Sequence, residues 1–345
     1  MKAMVYHNYG PPDVLQLEEV EKPAAKDTEV LIKVHATSVS PADWHFRSGT
    51  PFLARLIAGG LLKPKTGILG LDVAGEIESV GGSVERLKEG DQVYGLIPPG
   101  FDGANAEYTC VPEENVLIKP ANLTYEEAAA VPAAAGVALL FLRAGGLQSG
   151  QKVLINGASG GLGTLAIQLA KSLGAEVTGV CSTRNVDLVR SLGADEVIDY
   201  TKEDFTQGGQ TYDLIFDAVG KSSYSKCKSS LNPTGVYVTT IATPQILFNI
   251  LASSVMGGKK AKFLTPSVTP EDLQFVNDLV EAGKVRPVID RSYPLSELAE
   301  AHRYAEQGHV RGRVIITVAD SSEDGGRRCR GGLGQAGRGS NTGHR

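Results

Sequence analysis

Four glycines within seven residues give the chain its clearest chemical signal. Gly157, Gly160, Gly161 and Gly163 follow an aliphatic run at residues 153–156 and precede apolar residues at helical spacing. This order predicts a strand, a tight turn and a helix. Glycines are needed because side chains there would block the turn and keep a pyrophosphate away from the backbone and the helix N-terminus.

The residues after that helix strengthen the prediction. Residues 176–181, EVTGVC, are typical of a second short buried strand, which completes a βαβ unit around the glycines. We therefore predict a dinucleotide site, with a purely structural glycine turn as the alternative. The contacts expected from this turn are Gly157, Ala158, Ser159, Gly160, Gly161, Leu162 and Gly163.

The end of the second strand predicts which dinucleotide binds. NAD sites usually place an acid there for the ribose 2′-hydroxyl, whereas a 2′-phosphate needs positive or hydroxyl groups. Residues 181–185 contain no acid but include Ser182, Arg184 and Asn185. Arg184 can pair with a phosphate bidentately and Ser182 can donate to it. This pattern favours NADPH; the alternative for Arg184 is a solvated surface arginine.

Size and composition are those of an ordinary globular protein with room for two domains. The 345 residues are 42% hydrophobic and 21% charged, and the formal net charge is −5. No Lys/Arg stripe interleaves with aromatic residues, so nucleic acid is not an expected partner. The four cysteines lie too far apart for a CxxC pattern, which argues against a disulfide framework and a cysteine zinc cluster.

The two ends of the chain carry few signals. The N-terminal residues lack a charged region followed by an apolar core, and no run of 18 apolar residues is present. We expect no membrane span and a cytoplasmic location. Residues 321–345 contain eight glycines and almost no apolar residue, which predicts a disordered tail. A basic tether to a partner is the alternative.

The order of predicted elements indicates an α/β fold. Segments up to about residue 121 alternate as antiparallel strands, with a turn-rich segment at 37–49. Residues 123–147 are alanine-rich and predict two helices broken at Pro132. Strands and helices then alternate to residue 242, which predicts a doubly wound parallel sheet. Past residue 266 the pattern is helix, extended segment, helix and strand.

Several motifs together carry a family resemblance. They are SPADWHFRSG (40–49), GLDVAGEIESVG (70–81), EGDQVYG (89–95), the glycine turn, SLGADEVIDY (191–200) and YDLIFDAVG (212–220). The chain resembles the medium-chain dehydrogenase/reductase superfamily and its zinc-independent quinone oxidoreductase branch, most of all the chloroplast-envelope and reticulon-interacting homologues. The resemblance implies a GroES-like β-rich catalytic domain at residues 1–122 and 266–320 and a Rossmann NADPH-binding domain at 123–265.

The resemblance also implies an activity without a metal. Such proteins use NADPH to reduce quinones or the C=C bond of α,β-unsaturated carbonyls. The catalytic zinc of the alcohol dehydrogenase relatives needs a Cys, a His and a second Cys, with an open position for water. The matching positions here are Ser40 and Leu71, and the alanines at 133–135 offer no third ligand. We therefore expect no zinc.

The SPADWHFRSG segment lines the cleft between the domains in relatives, so the catalytic candidates lie there. Ser40 is the candidate hydrogen-bond donor, His45 the candidate proton donor, and Trp44 an apolar wall for the substrate. A structural histidine and simple core packing of the tryptophan are the alternatives. Asp43 is expected to cap or orient the segment, and Arg47 to pair locally.

Further cofactor contacts are implied at strand ends. Val219 and Ile241 follow predicted strands and would meet the nicotinamide end. Tyr200 resembles a tyrosine that lies against the adenosine end in relatives, with an ordinary strand-end tyrosine as the alternative. Relatives commonly carry a threonine in the segment that matches 136–138. No hydroxyl is available there, so that contact is lost or moved.

Two other functions stay open at this point. An enoyl-thioester reductase, acting on enoyl-CoA or an acyl carrier, would need a basic pocket, for which the available residues are Lys63, Lys65, Lys259, Lys260 and Lys262. A non-catalytic NADPH-binding protein would keep the fold without turnover. Relatives commonly dimerise by joining nucleotide-domain sheets, so we expect a homodimer with residues 235–242 as the edge.

Overall fold

A computed structural model describes residues 1–318, except 51, 53, 54, 56–59 and 65–66. The strands are, in chain order, β1 (Lys2–Val5), β2 (Gln16–Glu19), β3 (Glu29–Val39), β4 (Asp72–Val80), β5 (Gln92–Leu96), β6 (Tyr108–Pro112), β7 (Val116–Ile118), β8 (Lys152–Asn156), β9 (Glu176–Cys181), β10 (Glu196–Asp199), β11 (Tyr212–Asp217), β12 (Leu231–Thr239), β13 (Lys260–Phe263), β14 (Ile289–Pro294) and β15 (Arg313–Thr317). The α-helices are α1 (Pro41–Ser48), α2 (Tyr125–Ala129), α3 (Pro132–Gly145), α4 (Gly161–Ser172), α5 (Val186–Ser191), α6 (Tyr224–Cys227), α7 (Pro244–Met256), α8 (Pro270–Glu281) and α9 (Leu298–Glu306). The predicted disordered tail at 321–345 lies outside the described residues.

Two large sheets organise these elements. The six-stranded sheet has the order β10-β9-β8-β11-β12-β13 and is parallel throughout, which confirms the predicted doubly wound sheet. The seven-stranded sheet has the order β14-β15-β3-β4-β5-β7, with β6 also pairing β3. It takes strands from both ends of the chain, because β15 returns to pair β3 in antiparallel register. β1 and β2 form a separate pair.

The glycine turn lies at the topological switch point of the parallel sheet. β8 has β9 on one side and β11 on the other, so the strand order reverses there. Apolar residues of β8 and β9 are buried against α3 and α4 in the main core, including Val153, Ile155 and Val177. Ligands of such sheets bind in the crevice beyond the carboxyl ends of the strands at this point.

The segment predicted as turn-rich instead forms helix α1. The Asp43 carboxylate accepts from the Ser40 N–H at 2.7 Å, and the Ser40 side chain accepts from the Asp43 N–H. Pro41 occupies the first helical position and Gly49 ends the helix with φ of 62°. These are ordinary start and stop signals, so the helix is readable from the sequence. The capping role expected of Asp43 is confirmed.

The sequence prediction omits α7 and β13. Thr243 caps α7, its hydroxyl accepting from the Ile246 N–H at 3.2 Å, and Pro244 follows it. β13 pairs with β12, so β13 is the outer strand and the expectation that residues 235–242 form the sheet edge is wrong. The four residues KAKF are too short and too charged to be read as a buried strand.

The alanine-rich region forms the two helices predicted, broken at Pro132. Within the described part of the chain, the stretch Tyr125–Gly145 is long and apolar enough to cross a membrane by length and composition. However, 72% of its apolar window is buried inside the structure. The apolar composition is therefore accounted for by the core between the two sheets.

A buried arginine fixes α1 to the rest of the β-rich half. Arg47 is 2% exposed and donates to the Gly10 carbonyl oxygen at 3.2 Å and to His302 Nδ1 at 2.9 Å. It also pairs with Glu306 at 2.7 Å. The expectation that Arg47 pairs locally is wrong, because its partners lie on α9 and in the N-terminal loop.

This arrangement makes stability depend on pH through His302. Burial and the Arg47 charge lower the pKa of His302 from 6.5 to about 3. In the unfolded chain His302 therefore takes up a proton near pH 6.5, whereas in the folded chain it does so only near pH 3. The stability that this group contributes is fully present above pH 6.5 and is lost as the pH falls toward 3.

We predict that His302→Asn reduces this pH dependence, because asparagine keeps an acceptor for Arg47 and does not titrate. Between pH 7 and pH 5 the wild-type chain should lose about 2 kcal/mol more unfolding free energy than the variant. Urea unfolding of both chains at the two pH values measures this difference. Equal losses in both chains would contradict the assignment.

Candidate active site

The glycine turn is built by close backbone contacts. Gly157 has φ of 85°, and the N–H groups of Gly157 and Ala158 both donate to the Val180 carbonyl oxygen, at 3.2 and 3.0 Å. A Cβ on Gly163 would overlap the Gly157 carbonyl oxygen and the Ala158 backbone. The turn is therefore tied to β9, and helix α4 packs directly on it.

Gly160, unlike Gly157 and Gly163, has room for a side chain. Its φ is −83°, and a Cβ there would meet only the Gly157 oxygen, at 3.5 Å. Neither the fold of the turn nor its packing requires a glycine at this position. The missing side chain leaves open space at the start of α4, where no side chain caps the helix. The first turn of such a helix carries N–H groups that can bind an anion.

Hydroxyl and amide groups gather beside the turn at the end of β9. The Asn185 side chain donates to Ser159 Oγ at 2.9 Å and to Ser182 Oγ at 3.3 Å. Arg184 is exposed, and one of its N–H groups donates to the His309 carbonyl oxygen at 2.8 Å. The structure thus brings together the predicted residues Ser159, Ser182, Arg184 and Asn185.

The acid at the end of β10 is held as a carboxylate by its neighbours. Asp199, at the end of β10, accepts from the Thr183 hydroxyl at 2.6 Å and from the Thr201 hydroxyl at 2.7 Å. Lys202 lies 3.3 Å from the same carboxylate. These contacts hold the pKa of Asp199 well below its usual range, and Thr183 is the main cause.

The loop before β15 covers the glycine turn, which sequence analysis missed. Gly312 N–H donates to the Ser159 carbonyl oxygen at 2.9 Å, and Gly160 and Gly312 form an isolated parallel bridge. A Cβ on Gly161 would lie 2.8 Å from Cδ of Arg313. The β-rich half of the chain therefore contributes residues directly to the predicted dinucleotide site.

Arg313 is held there by a buried ion pair with Asp72. The two side chains are 5% and 0% exposed and lie 2.5 Å apart. Ser38 bonds to both, and the Ala133 N–H, in the first turn of α3, donates to the other Asp72 oxygen at 2.7 Å. Burial raises the pKa of Asp72, and the Arg313 charge opposes that rise.

Two apolar side chains lie beyond the carboxyl ends of β11 and β12, and an aromatic one lies beyond β10. Val219 packs against Gly157 and Ile241 against Gly220, and these two side chains are 40% and 45% exposed. Tyr200 is 59% exposed, and its N–H donates to the Cys181 carbonyl oxygen at 3.1 Å. All three side chains remain accessible for the cofactor contacts predicted for them.

A buried acid that the sequence analysis does not single out joins the carboxyl ends of β8 and β11. Asp217, at the end of β11, accepts from the Asn156 amide, the Tyr237 hydroxyl and the Ser222 N–H, each at 2.9 Å. It thereby joins the last residue of β8, which precedes the glycine turn, to the loop that carries Val219. A polar residue at the end of a buried parallel strand is the signal that could have found it.

The three catalytic candidates differ in solvent exposure and in the contacts that their side chains already make. Ser40 is 5% exposed and its hydroxyl donates to the Asp43 carboxylate at 2.6 Å. His45 is exposed, with Nδ1 at 2.7 Å from the Thr50 carbonyl oxygen. Trp44 is half-buried and packs on the cluster that contains Leu298 and Val314. Their catalytic roles stay predictions.

The residues at the zinc-ligand positions do not fit a zinc ion. The Ser40 hydroxyl is bonded to Asp43, Leu71 has no donor atom, and Asp72 beside it is paired with Arg313. Across residues 1–318, outside the gaps given above, no three His, Cys, Asp or Glu side chains group as a metal site. Borderline-soft Zn²⁺ prefers thiolate and imidazole ligands, which these positions lack.

Some of the lysines available for an acyl-carrier pocket already donate hydrogen bonds to backbone carbonyl oxygens. Lys262 donates to the Ala144 carbonyl oxygen at 2.6 Å, near the end of α3, and Lys259 to the Lys228 carbonyl oxygen at 2.7 Å. Lys63 and Lys260 are exposed. Lys65 lies outside the described residues. Two of the five lysines therefore have structural partners.

Comparisons with known proteins agree with this architecture. Residues 26–121 match the alcohol dehydrogenase GroES-like domain, and residues 192–316 match a family described as zinc-binding dehydrogenase. These matches confirm the predicted pairing of a GroES-like domain with a Rossmann-type domain.

Individual relatives span most of the chain. The mouse NAD(P)H oxidoreductase RTN4IP1, mitochondrial, is 37% identical, covering 92% of this chain and 89% of the relative. The Arabidopsis thaliana NADPH-dependent alkenal/one oxidoreductase, chloroplastic, is 36% identical, covering 92% and 79%. Among solved structures, the quinone oxidoreductase from Coxiella burnetii is 34% identical with a TM-score of 0.83, covering 92% and 99%.

We predict that two alanine substitutions in the turn separate folding from cofactor binding. Gly163→Ala should lower the unfolding free energy by about 1–3 kcal/mol, because its Cβ overlaps backbone atoms. Gly160→Ala should leave stability within about 0.5 kcal/mol. However, it should weaken NADPH binding at least about tenfold by filling the pyrophosphate space.

Thermal unfolding and NADPH fluorescence titration measure the two effects. Gly160→Ala serves as the matched control for folding. If it binds NADPH as tightly as the wild-type chain, the turn is only structural.

Proposed function

The chain belongs to the medium-chain dehydrogenase/reductase superfamily, and from that premise we propose that it is an NADPH-dependent oxidoreductase. It reduces quinones or the C=C bond of α,β-unsaturated carbonyls. The observation that carries the proposal is the glycine turn at the switch point, with an open Gly160 and with Ser159, Ser182 and Arg184 beside it. The names of the relatives support the same reaction class.

The nucleotide end of the cleft supplies binding. The N–H groups at the start of α4 take the pyrophosphate. Arg313, whose charge is paired with Asp72, packs its side chain on Gly161 beside them. Ser159, Ser182 and Arg184 provide hydroxyl and guanidinium donors for a 2′-phosphate. Val219 and Ile241 give the nicotinamide an apolar surface, and Tyr200 an aromatic one to the adenosine. Bound NADPH supplies a hydride, and the protein orients the acceptor toward it.

At the nicotinamide end, the protein must stabilise the negative charge that develops on the acceptor. Reduction of a C=C bond next to a carbonyl places negative charge on the carbonyl oxygen, which needs a donor and then a proton. We assign the proton to His45, with Trp44 as an apolar wall beside it, because the single hydroxyl proton of Ser40 is already donated to the Asp43 carboxylate. When Nδ1 of His45 donates to Thr50, Nε2 of the neutral ring carries a lone pair. His45 therefore delivers a proton from Nε2 only as an imidazolium.

We propose that the reaction needs no zinc. The ligand positions hold a serine that caps α1 and a leucine, and the neighbouring Asp72 is the partner of Arg313. A zinc ion would have to displace two buried structural contacts to gain oxygen ligands alone.

We also propose a homodimer and a cytoplasmic location. The outer strand β13 ends the parallel sheet in the described chain, and α7 next to it exposes Leu247, Phe248 and Leu251. Pairing of two β13 edges would cover both features. Two relatives carry names that place them in mitochondria and chloroplasts, so the compartment differs within the family.

The alternatives have less support. An enoyl-thioester reductase needs free basic residues for its phosphates, and Lys259 and Lys262 are bound to carbonyl oxygens. A non-catalytic NADPH-binding protein would use the same nucleotide site. Only turnover separates it from the enzyme.

The test is NADPH oxidation by the purified chain with a quinone, a short enone, a long-chain enone and an enoyl-CoA. We expect consumption with a quinone or enone, faster with NADPH than with NADH, and unchanged after treatment with EDTA. Consumption with enoyl-CoA alone would favour the thioester reductase. Tight NADPH binding with no consumption would leave the non-catalytic function, and loss of activity with EDTA would contradict the zinc-free reaction.

A further inference from the structure

We infer that Asn185 sets the cofactor preference indirectly, by orienting the Ser159 and Ser182 hydroxyl groups toward the 2′-phosphate of NADPH. The inference rests on the proposed NADPH dependence. It goes further because it makes Asn185 a positioning residue that acts through two serines, whereas the sequence predicts only a cofactor contact.

Asn185 itself is poorly placed to touch a ligand. It is 4% exposed and lies in the turn between β9 and α5. Its backbone N–H donates to the Ser182 carbonyl oxygen at 2.9 Å. Oδ1 is buried and has no partner among the described residues. The side chain therefore faces inward, between the two segments that border the site.

Its amide nitrogen joins these two segments. Nδ2 donates to Ser159 Oγ at 2.9 Å, in the glycine turn after β8, and to Ser182 Oγ at 3.3 Å, at the end of β9. Neither hydroxyl has another hydrogen-bond partner in the described part of the chain. One buried amide thus holds both serines as acceptors.

The polarity of these bonds determines what the serines can bind. A hydroxyl group that accepts an N–H retains its own O–H to donate, and the NH₂ group of Asn185 cannot accept it. Both O–H groups are therefore left for an external acceptor. Phosphate oxygens are stronger acceptors than a ribose hydroxyl, so two oriented donors favour the phosphorylated cofactor.

Arg184 contributes separately. It is exposed, bonds to the His309 carbonyl oxygen and has no bond to Asn185. It supplies charge to the phosphate directly, whereas Asn185 supplies orientation through the serines. The two contributions are therefore expected to be independent of each other.

A double-mutant cycle in the full chain tests this inference. The measured quantity is the NADPH-to-NADH ratio of dissociation constants, from fluorescence titration, together with the same ratio of kcat/KM. Asn185→Ala should reduce the preference for NADPH about 3- to 10-fold in the wild-type background. In the Ser159→Ala/Ser182→Ala background the same substitution should change it less than about 2-fold.

Three further variants sharpen the test. Asn185→Asp keeps the size but reverses the bond polarity, because the carboxylate accepts the serine protons, and should reduce the preference more than alanine does. Arg184→Ala should combine additively with Asn185→Ala. The control is Asn232→Ala, which removes a similar bond to Asp213, at 2.7 Å, at the amino ends of β11 and β12. It should leave the preference unchanged.

The outcomes distinguish this inference from the proposed function. Equal weakening of NADPH and NADH binding by Asn185→Ala, or an undiminished effect without the two serines, would overturn the inference alone. A wild-type chain that binds neither cofactor, or prefers NADH, would overturn the proposed function and the inference with it.

Discussion

The buried ion pair between Asp72 and Arg313 is the contact on which the cleft depends. Two charged groups at 0% and 5% exposure are costly to desolvate, and each is tolerable only because the other is present. Their positions join β4 to β15, and the Ala133 N–H extends the contact to the first turn of α3. The side chain of Arg313 then lies on Gly161. One pair thus fixes the position of the glycine turn relative to the β-rich half.

This placement brings both halves of the chain together around the predicted nucleotide site. The loop before β15 bonds to Ser159 and to Arg184, which are predicted to contact the cofactor. At the other end Asp217 ties β8 to the loop that carries Val219. The substrate segment is anchored separately, through Arg47 on α9 and the N-terminal loop.

Much of the nucleotide half could be predicted because its signals are local. The glycine turn, the alternation of strands and helices and the helix break at Pro132 each depend on a few adjacent residues. The Asp72–Arg313 pair could not be, since 241 positions separate its members. No local pattern in the sequence identifies Arg313 as the partner of Asp72. The caps of helix α1, Ser40 and Gly49, are also local, but Ser, Pro, Asp and Gly residues favour turns as well, so the segment predicts turn-rich structure.

The central claim is that NADPH binds between the two halves of the chain, and hydrogen–deuterium exchange of the full chain tests it most directly. With saturating NADPH, exchange should slow in residues 157–163 and 182–185 of the nucleotide half. It should also slow in residues 308–313, which lead into β15. With NADH, the protection at 182–185 should be much weaker. Protection confined to the nucleotide half, or absent from all three segments, would contradict the account.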